Sequence, residues 1–255
     1  MSKKYKLGIA LSGGGSKGFA HAGALKALEE FGYKPDIIAG TSAGAITAAL
    51  YSAGYAPHEI CQLFEHKGFT DFTRITLPTV GFFSPQKFVD FLRTKIPYKN
   101  IEDLPIPVRI VSTDLDNGVI KVFEEGSIAE RVMASSNVPV VFPPMLIDGI
   151  HYVDGGVFCN FPVAVIRQEC EVVIGINVSP LAATQYKQTM LEIANRAFDF
   201  MFRANTKEDG KLCDILIEMT EVLKYDTFNL DSIAEIYDLG YQQTKKVLEE
   251  QTYLR

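Results

Sequence analysis

Residues 36–46 (DIIAGTSAGAI) place a serine where it could act as a nucleophile. Ser42 lies between Gly40 and Gly44 in the pattern G-x-S-x-G, after a short apolar run and before a run of small residues. In this pattern a sharp turn from strand to helix raises the serine hydroxyl above the sheet edge, and the glycines relieve crowding. The pattern is common by chance and serines also cap helices, so the predicted strand-to-helix context is what favours a nucleophile.

A glycine-rich segment at residues 12–18 (SGGGSKG) follows the first apolar run of the chain. Gly13, Gly15 and Gly18 match the dinucleotide pattern G-x-G-x-x-G, but the acidic residue that should end the next strand, Asp36, begins it instead. The P-loop pattern also fails, because no Gly-Lys-Ser/Thr follows. Glycines let successive N–H groups turn toward one point, and a helix N-terminus behind them favours negative charge. The segment therefore predicts a loop that binds an oxyanion.

The predicted loop and Ser42 should lie side by side, because neighbouring parallel strands end at the same edge of a sheet. An acyl carbon attacked by Ser42 would then place its oxygen near the N–H groups of Gly14, Gly15 and Ala43. Each such donor can stabilise a transition state by about 3–4 kcal/mol.

The base that would accept the proton of Ser42 is less obvious, because hydrolases with this elbow usually carry a later histidine. None of the four histidines follows position 151. His21 shares a helical stripe with leucines, which predicts a core residue. His58 and His66 follow a buried helix and are expected at the surface, away from the serine.

Two residues near position 150 remain as candidates for this base. His151 and Asp154 lie three residues apart in the strand-like IHYVD, so their side chains should point to opposite faces and could not form a coupled pair. Asp154 opens an Asp-Gly-Gly segment at the end of this strand. It could simply be a turn aspartate, but Asp148, between two short strands, fits that role better. The residues alone rank Asp154 above His151 and leave both open.

The elements that must position these residues alternate between strands and helices. Compact apolar runs predict strands at 5–11, 36–40, 108–114, 119–124, 145–147, 150–153, 171–178 and 214–218. Helical patterns cover 19–31, 43–53, 86–95, 128–135, 186–204 and 231–251. The uncharged run 37–57 is long enough for a membrane helix, but its Gly, Ser and Thr content favours a buried strand and helix. The order predicts one α/β domain over residues 1–255.

Composition and charge narrow the class of protein. The chain has 255 residues, of which 47% are hydrophobic and 22% charged, as in ordinary globular proteins. Its net charge is −6 and no Lys/Arg cluster stands out, which argues against nucleic-acid binding and against strong adhesion to anionic membranes. The N-terminal apolar stretch is too short for a signal peptide. The four cysteines lack paired spacing and are expected to be core residues in a reducing compartment.

Three segments in this order and spacing, GGGSKG, GTSAG and DGG, resemble the patatin-like phospholipases. Residues 135–144 and 160–162, and the closing strand and helix at 213–250, are also similar to that family, so the resemblance covers nearly the whole chain. It implies a three-layer α/β/α fold with a central, mostly parallel sheet. Because the chain is short and acidic with no added domain, we expect a bacterial, stand-alone, cytoplasmic form.

The resemblance assigns roles to individual residues. Ser42 matches the family's nucleophile, and Asp154 matches its general base in a Ser–Asp dyad without histidine. The implied reaction is hydrolysis of lipid acyl esters through an acyl-enzyme, on phospholipids, lysophospholipids or neutral lipid esters, with transient contact to a membrane surface and no metal or cofactor. The remaining matches are the oxyanion loop Gly13, Gly14 and Gly15, the elbow glycines Gly40 and Gly44, and the supporting residues Lys17, Gly155 and Gly156.

Two other functions would use the same fold. An acyltransferase would move the acyl group from Ser42 to an alcohol or thiol instead of water. A non-enzymatic adaptor would bind a lipid or protein partner, but the intact Ser42, Asp154 and glycine loop count against it.

The aromatic segment at residues 69–83 has no clear period. It is either a satellite core beneath a loop or a wall or lid for an acyl chain. As a wall, it predicts that polar substitutions at Phe82 and Phe83 weaken long-chain esters more than short ones.

Overall fold

The computed structural model describes residues 3–75, 81–182, 188–204 and 206–252. A central sheet of eight strands runs through this part of the chain, and helices cover both of its faces. The sheet is mostly parallel, so the three-layer α/β/α architecture predicted from the sequence is confirmed.

The strands are given in chain order. They are β1 (Tyr5–Leu11), β2 (Ile37–Thr41), β3 (Arg74–Ile75), β4 (Phe83–Ser84), β5 (Val108–Asp114), β6 (Val119–Phe123), β7 (Met145–Ile147), β8 (Ile150–Asp154), β9 (Cys170–Asn177) and β10 (Ile215–Glu218). Strands β10, β9, β1, β2 and β5 are parallel neighbours in that order. Strands β6 and β8 pair antiparallel with β5, and β7 pairs antiparallel with β8. Strands β3 and β4 form a separate two-stranded sheet.

The longer helices begin and end close to the predicted bounds, whereas the short helices at 57–62, 69–72, 163–167 and 206–210 were not predicted. They are α1 (Phe19–Glu30), α2 (Ala43–Ser52), α3 (Pro57–Gln62), α4 (Phe69–Phe72), α5 (Gln86–Lys95), α6 (Ile128–Ser135), α7 (Val163–Arg167), α8 (Met190–Arg203), α9 (Thr206–Gly210) and α10 (Ile233–Thr252). Short 3-10 helices cover Gly15–Gly18, Ile101–Asp103, Gly155–Val157 and Glu221–Lys224.

Side chains of the central strands alternate between two cores. Ile9 and Ile38 face a large core, whereas Ala10, Ile37 and Ala39 face a smaller core that α7 closes. Burial of an isoleucine side chain stabilises a fold by about 1.5–3 kcal/mol, so both faces contribute to holding the sheet. Three of the four free cysteines are buried, as expected of core residues.

The uncharged run 37–57 forms β2 and α2, together with the start of α3, as the sequence predicts. Among the described residues, no helix combines the length and the hydropathy that a membrane crossing requires. The segment from 67 to 85 contains only α4, β3 and β4, with residues 76–80 outside the described part of the chain. The first residues of the helix predicted at 186–204 also lie outside it.

Candidate active site

Strand β5 positions the two candidate catalytic residues, Ser42 and Asp154, next to each other. Its Val111 pairs with Thr41 at the end of β2, and the next residue, Ser112, pairs with Asp154 at the end of β8. Strand β6 occupies the opposite edge of β5, so β2 and β8 share one edge. Because β2 is parallel to β5 and β8 is antiparallel, their C-terminal ends meet. Ser42 and Asp154, far apart in sequence, thereby become neighbours.

The backbone at Ser42 adopts a strained conformation, with φ 53° and ψ −120°. A non-glycine residue with such a φ costs about 1–3 kcal/mol and persists only where its surroundings hold it. Its N–H donates to Ser135 Oγ at 2.9 Å, and Ser135 Oγ donates to the Val111 carbonyl at 2.5 Å. The turn is so tight that a methyl group on Gly40 would lie 2.5 Å from the carbonyl carbon of Gly44. The segment therefore forms the sharp elbow that the sequence predicts.

The Ser42 hydroxyl donates to Asp154 Oδ2 at 2.7 Å. The other carboxyl oxygen, Asp154 Oδ1, accepts the N–H of Gly156 at 2.7 Å. Asp154 is only 1% exposed. Burial raises the pKa of this carboxyl to about 6, although both hydrogen bonds act in the opposite direction. Asp154 is thus a stronger base than an ordinary aspartate and is still ionised at neutral pH.

The structure describes all four histidines, and none of them is a hydrogen-bond partner of Ser42. His151 is half exposed, and its Nδ1 lies 3.1 Å from Asp116 Oδ2 on the side away from Asp154, as the strand alternation predicts. His21 is fully buried, with Nε2 2.8 Å from the Ser12 carbonyl, and burial lowers its pKa to about 4.

His58 and His66 are exposed, which confirms their predicted position at the surface. The geometry of the site therefore offers the serine a carboxylate partner and no imidazole.

The glycine loop lies beside Ser42 and lines the same cavities. The Gly13 N–H donates to the Asn160 carbonyl at 2.9 Å, so it is already used within the fold. The N–H groups of Gly14 and Gly15 have no acceptor among the described residues, and Gly15 adopts φ +60°, which favours glycine. Two unpaired donors of this loop are thus available to a ligand, while Gly13 fixes the loop in place.

Asp36 lies at the opposite end of the sheet from this loop, since its carboxylate accepts the N–H groups of Lys6 and Leu7 at 3.0 and 2.9 Å. It cannot reach a ribose placed over the glycines. A dinucleotide site at these glycines would therefore lack the carboxylate that binds the ribose.

Two cavities meet at Ser42. The first, the apolar chamber, has a volume of about 170 Å³. Its lining includes Ile46, Ile60, Phe64, Phe69, Phe72, Phe88, Met133, Phe142 and Leu230. The second, the polar chamber, has a volume of about 480 Å³. Its lining includes Lys17, Asp154, Asn160, Ser179, Asp199, Arg203, Asp226 and Asn229. An ester at Ser42 would have an apolar space on one side and, on the other, a space lined by charged and apolar side chains together.

The aromatic segment contributes directly to the apolar chamber. Phe69 and Phe72 line it, and the Phe69 ring lies 5.1 Å from the rings of both Phe83 and Phe228. Phe82, which is 50% exposed, and Phe83 do not line the chamber, so the prediction that polar substitutions at these two positions act on an acyl-chain wall is not supported. Leu77 and Val80, which belong to the same segment of the sequence, are outside the described residues.

Lys17 is 4% exposed and lies beneath the segment at 225–227. Its Nζ donates to the Tyr225 carbonyl at 3.4 Å and to Thr227 Oγ1 at 3.3 Å. Burial, with a smaller contribution from the nearby Arg203, lowers the pKa of this ammonium to about 8. Lys17 thus keeps a charge next to the glycine loop at neutral pH.

Three participants were not found from the sequence. Ser135 fixes the backbone of the nucleophile, Asn160 accepts from the glycine loop, and Arg203 reaches the polar chamber from α8. Ser135 and Asn160 lie in segments that resemble the family, but their contacts depend on strand register. Nothing in the sequence around Arg203 indicates that it is near Ser42.

Comparisons with known proteins show the family of this chain. A family model described as patatin-like phospholipase matches residues 9–166, a range that includes the glycine loop, Ser42 and Asp154. The human patatin-like phospholipase domain-containing protein 6 is 27% identical over 277 residues, covering 94% of this chain and 20% of the human protein. An uncharacterized NTE family protein of Mycobacterium tuberculosis is 34% identical over 172 residues, covering 65% of this chain and 46% of that protein.

The chain thus spans about a fifth of the first relative and about half of the second. Among solved structures, VipD from Legionella pneumophila has a similar fold, with a TM-score of 0.60 and 17% sequence identity over 98% of this chain and 67% of the VipD chain. The family match covers more than half of the sequence and includes both members of the Ser42–Asp154 pair, and the chain belongs to the patatin-like phospholipase family.

Proposed function

We propose that this protein hydrolyses carboxylic esters of lipids through a covalent acyl-enzyme on Ser42. The observation that carries the proposal is the 2.7 Å hydrogen bond from the Ser42 hydroxyl to a carboxyl group that is 1% exposed. Membership of a phospholipase family supports a lipid ester as the substrate.

In the first half of the reaction, Ser42 Oγ forms a bond to the ester carbonyl carbon while its proton moves to Asp154 Oδ2. The electrons of the carbonyl double bond move to oxygen, and the N–H groups of Gly14 and Gly15 stabilise this oxyanion. When the oxyanion collapses, the bond to the alcohol breaks, and the alcohol takes the proton from Asp154. The products of this step are a free alcohol and an acyl ester of Ser42.

In the second half, a water molecule takes the place of the alcohol. Asp154 accepts a proton from the water as it attacks the acyl carbon, and the oxyanion forms again at the same donors. Collapse releases the carboxylic acid, and the proton returns to Ser42 Oγ. The dyad is thus restored without any histidine.

A carboxylate is a weak base for a serine hydroxyl, so its environment must assist. Burial of Asp154 raises its pKa to about 6. The difference between the pKa of this carboxyl and that of the serine hydroxyl is therefore smaller. The start of α2 lies directly after Ser42, so the helix dipole favours negative charge on the attacking oxygen.

The apolar chamber supports the assignment of an acyl substrate. Its wall is built from aromatic and aliphatic side chains, and it opens onto Ser42. An acyl chain bound there would leave its alcohol facing the polar chamber.

The test is turnover of p-nitrophenyl and phospholipid esters by wild-type protein and Ser42→Ala, with Ser127→Ala as the control. Ser127 precedes α6 and its hydroxyl makes no capping bond, so its loss should leave turnover unchanged. We expect Ser42→Ala to keep its fold and lose turnover, and a fluorophosphonate to add one adduct to the wild type at Ser42. Retained turnover in Ser42→Ala would refute the mechanism. Acyl transfer to added glycerol in place of hydrolysis would assign a transferase.

A further inference from the structure

Asn160 lies between the two parts of the site and is held there through its backbone. Its carbonyl accepts the Gly13 N–H at 2.9 Å, and the carbonyl of the preceding residue, Cys159, accepts the hydroxyl of Thr41 at 2.9 Å. Thr41 ends β2 and directly precedes the nucleophile Ser42. Asn160 is thus fixed both to the glycine loop and to the strand that carries the nucleophile.

The side chain of Asn160 lies directly against two glycine backbones. A methyl group on Gly13 or on Gly156 would overlap Asn160 Oδ1, so neither position has room for a larger residue. The N–H of Gly156 is also the group that donates to Asp154 Oδ1 at 2.7 Å. The Asn160 amide therefore lies beside both the oxyanion loop and the base.

This amide differs from those of the other buried asparagines in the described part of the chain, Asn137 and Asn177. Asn137 donates to the Pro143 carbonyl, and Asn177 Oδ1 accepts the Ser179 N–H at 3.0 Å. Asn160 is 6% exposed, and neither its Oδ1 nor its Nδ2 has a hydrogen-bond partner among the described residues. Since Asn160 lines the polar chamber, a molecule in that chamber can bind its amide. Such a contact would remove the cost of an unpaired buried amide, about 1–3 kcal/mol.

We propose that Asn160 binds and orients the water that hydrolyses the acyl-enzyme, with Asn160 Nδ2 donating to the water oxygen. The proposal rests on the proposed function, because it requires the acyl ester of Ser42. One lone pair of the water accepts the amide N–H, and the other is free to attack the acyl carbon. One O–H of the water is then directed to Asp154.

The arrangement of the site leaves the polar chamber as the place for this water. The acyl chain would occupy the apolar chamber, and Gly14 and Gly15 would hold the oxyanion. Asn160, Asp154 and Ser42 line the polar chamber together, on the side where the alcohol leaves. Its volume of about 480 Å³ is far larger than the roughly 30 Å³ that one water fills, so a polar partner is needed to hold the water at one point.

The step itself uses Asn160 without changing it. The water oxygen forms a bond to the acyl carbon, one water proton moves to Asp154, and the carbonyl electrons move to the oxygen held by the glycine loop. On collapse, the bond to Ser42 Oγ breaks, and this oxygen takes the proton from Asp154. Because Asn160 acts only where water is the reactant, its loss should slow deacylation and leave acylation largely unchanged.

The test separates the two halves of the reaction in Asn160→Ala and Asn160→Ser. Both variants keep the backbone carbonyl that holds Gly13. The control is Asn100→Ala, because Asn100 makes no side-chain capping bond and lines neither chamber. The measurements are kcat, kcat/KM and the burst of p-nitrophenol for a p-nitrophenyl ester, the mass of protein acylated at Ser42 during turnover, and the rate of labelling by a fluorophosphonate. For such an ester kcat/KM reports acylation, whereas kcat reports the slower deacylation.

We expect Asn160→Ala to lower kcat about 10- to 100-fold and to accumulate protein acylated at Ser42, because the water is no longer positioned. Its kcat/KM and its labelling rate should stay within about threefold of wild type. Asn160→Ser, whose hydroxyl can also donate, should recover part of the loss in kcat, and the control should behave as the wild type.

Equal losses of kcat, kcat/KM and labelling rate in both variants, without acylated protein, would overturn the proposal. Failure of both variants to fold would also overturn it, since Asn160 would then be a structural residue. If no protein, the wild type included, forms an acyl or a fluorophosphonate adduct on Ser42, the proposed function itself is refuted.

Discussion

The carboxyl of Asp154 lies in an environment that favours its protonated form. It is removed from water, and no cation lies within ion-pair distance of it among the described residues, so burial raises its pKa to about 6. Two donors, the Ser42 hydroxyl and the Gly156 N–H, keep the shift from being larger. A group with this pKa is ionised at neutral pH and accepts a proton readily.

The pH dependence of turnover follows from that pKa. Because only the ionised carboxylate can accept the serine proton, kcat/KM should fall about tenfold per pH unit below pH 6, with an apparent pKa of about 6. The measurement is kcat/KM for a p-nitrophenyl ester between pH 4.5 and 8, in the wild type and in His151→Ala. An acid limb that disappears in His151→Ala would assign the titration to the histidine instead.

The same carboxyl should make the protein less stable as the pH rises. Its pKa is higher in the folded protein than in the unfolded chain, so its favourable contribution is complete below about pH 3.8 and is lost as pH rises through about 6. We therefore expect Asp154→Asn to raise the free energy of unfolding by about 3 kcal/mol at pH 8 and by roughly half of that at pH 5.

Urea unfolding at both pH values measures this difference, with the exposed Asp103→Asn as the control. If the variant is less stable than the wild type at pH 8, the ionised carboxylate does not destabilise the folded protein at that pH. If Asp154→Asn gains stability and loses turnover, the ionised carboxylate that catalysis requires is the group that destabilises the folded protein.

At the scale of elements, the nucleophile depends on a hydroxyl outside its own segment. Ser135 ends α6, and its Oγ holds the Ser42 N–H while donating to β5. It thereby joins the elbow to the strand that also pairs with Asp154. The strained backbone of Ser42 is kept in place by this bridge.

We expect Ser135→Ala to lower the free energy of unfolding by about 1–3 kcal/mol, because a buried N–H loses its acceptor. Displacement of Ser42 should also reduce kcat about 10- to 100-fold, since small shifts of a nucleophile slow the reaction strongly. Ser52→Ala is the matched control, because Ser52 Oγ is buried without a partner among the described residues. Thermal unfolding and steady-state kinetics measure both effects. Equal behaviour of the two variants would show that Ser135 does not hold the elbow.

Much of the secondary structure was predictable, because each element has a strong local signal. Strand β1 and helices α5 and α6 have the predicted bounds, since clear apolar patterns end at glycines, prolines or polar turns. The register of β5 was not predictable, because it depends on pairing between distant segments. That register is what brings Ser42 and Asp154 together, so the sequence could rank Asp154 first but could not derive the contact.

In the whole molecule, the site is a junction of two chambers, one apolar and one lined by both charged and apolar side chains. The glycine loop and Ser42 lie between them, and residues of the segments at 69–72 and 226–230 contribute to their lining. The composition of the aromatic segment predicted an apolar role, but the sequence could not separate a core from a wall. Phe69 has both roles, since it packs on Phe83 and lines the apolar chamber.

The dependence of turnover on acyl-chain length should rely on Phe69, which lines the apolar chamber. Phe69→Ala should reduce kcat/KM for a twelve-carbon ester about tenfold more than for a four-carbon ester, because the longer chain loses apolar contact. Phe82→Ala is the control, since Phe82 is half exposed and outside the chamber. The check is kcat/KM across a series of p-nitrophenyl esters. An equal loss for both chain lengths would assign Phe69 to packing alone.

We expect Asp154, and not His151, to accept the proton of Ser42, and kcat of two variants decides between these residues. Asp154→Asn keeps the shape of the side chain and removes the base, so kcat should fall by about 10³- to 10⁴-fold. His151→Ala changes a half-exposed side chain that pairs with Asp116, so kcat should stay within about tenfold of wild type. An active asparagine variant beside an inactive alanine variant would contradict the dyad and assign the base to His151.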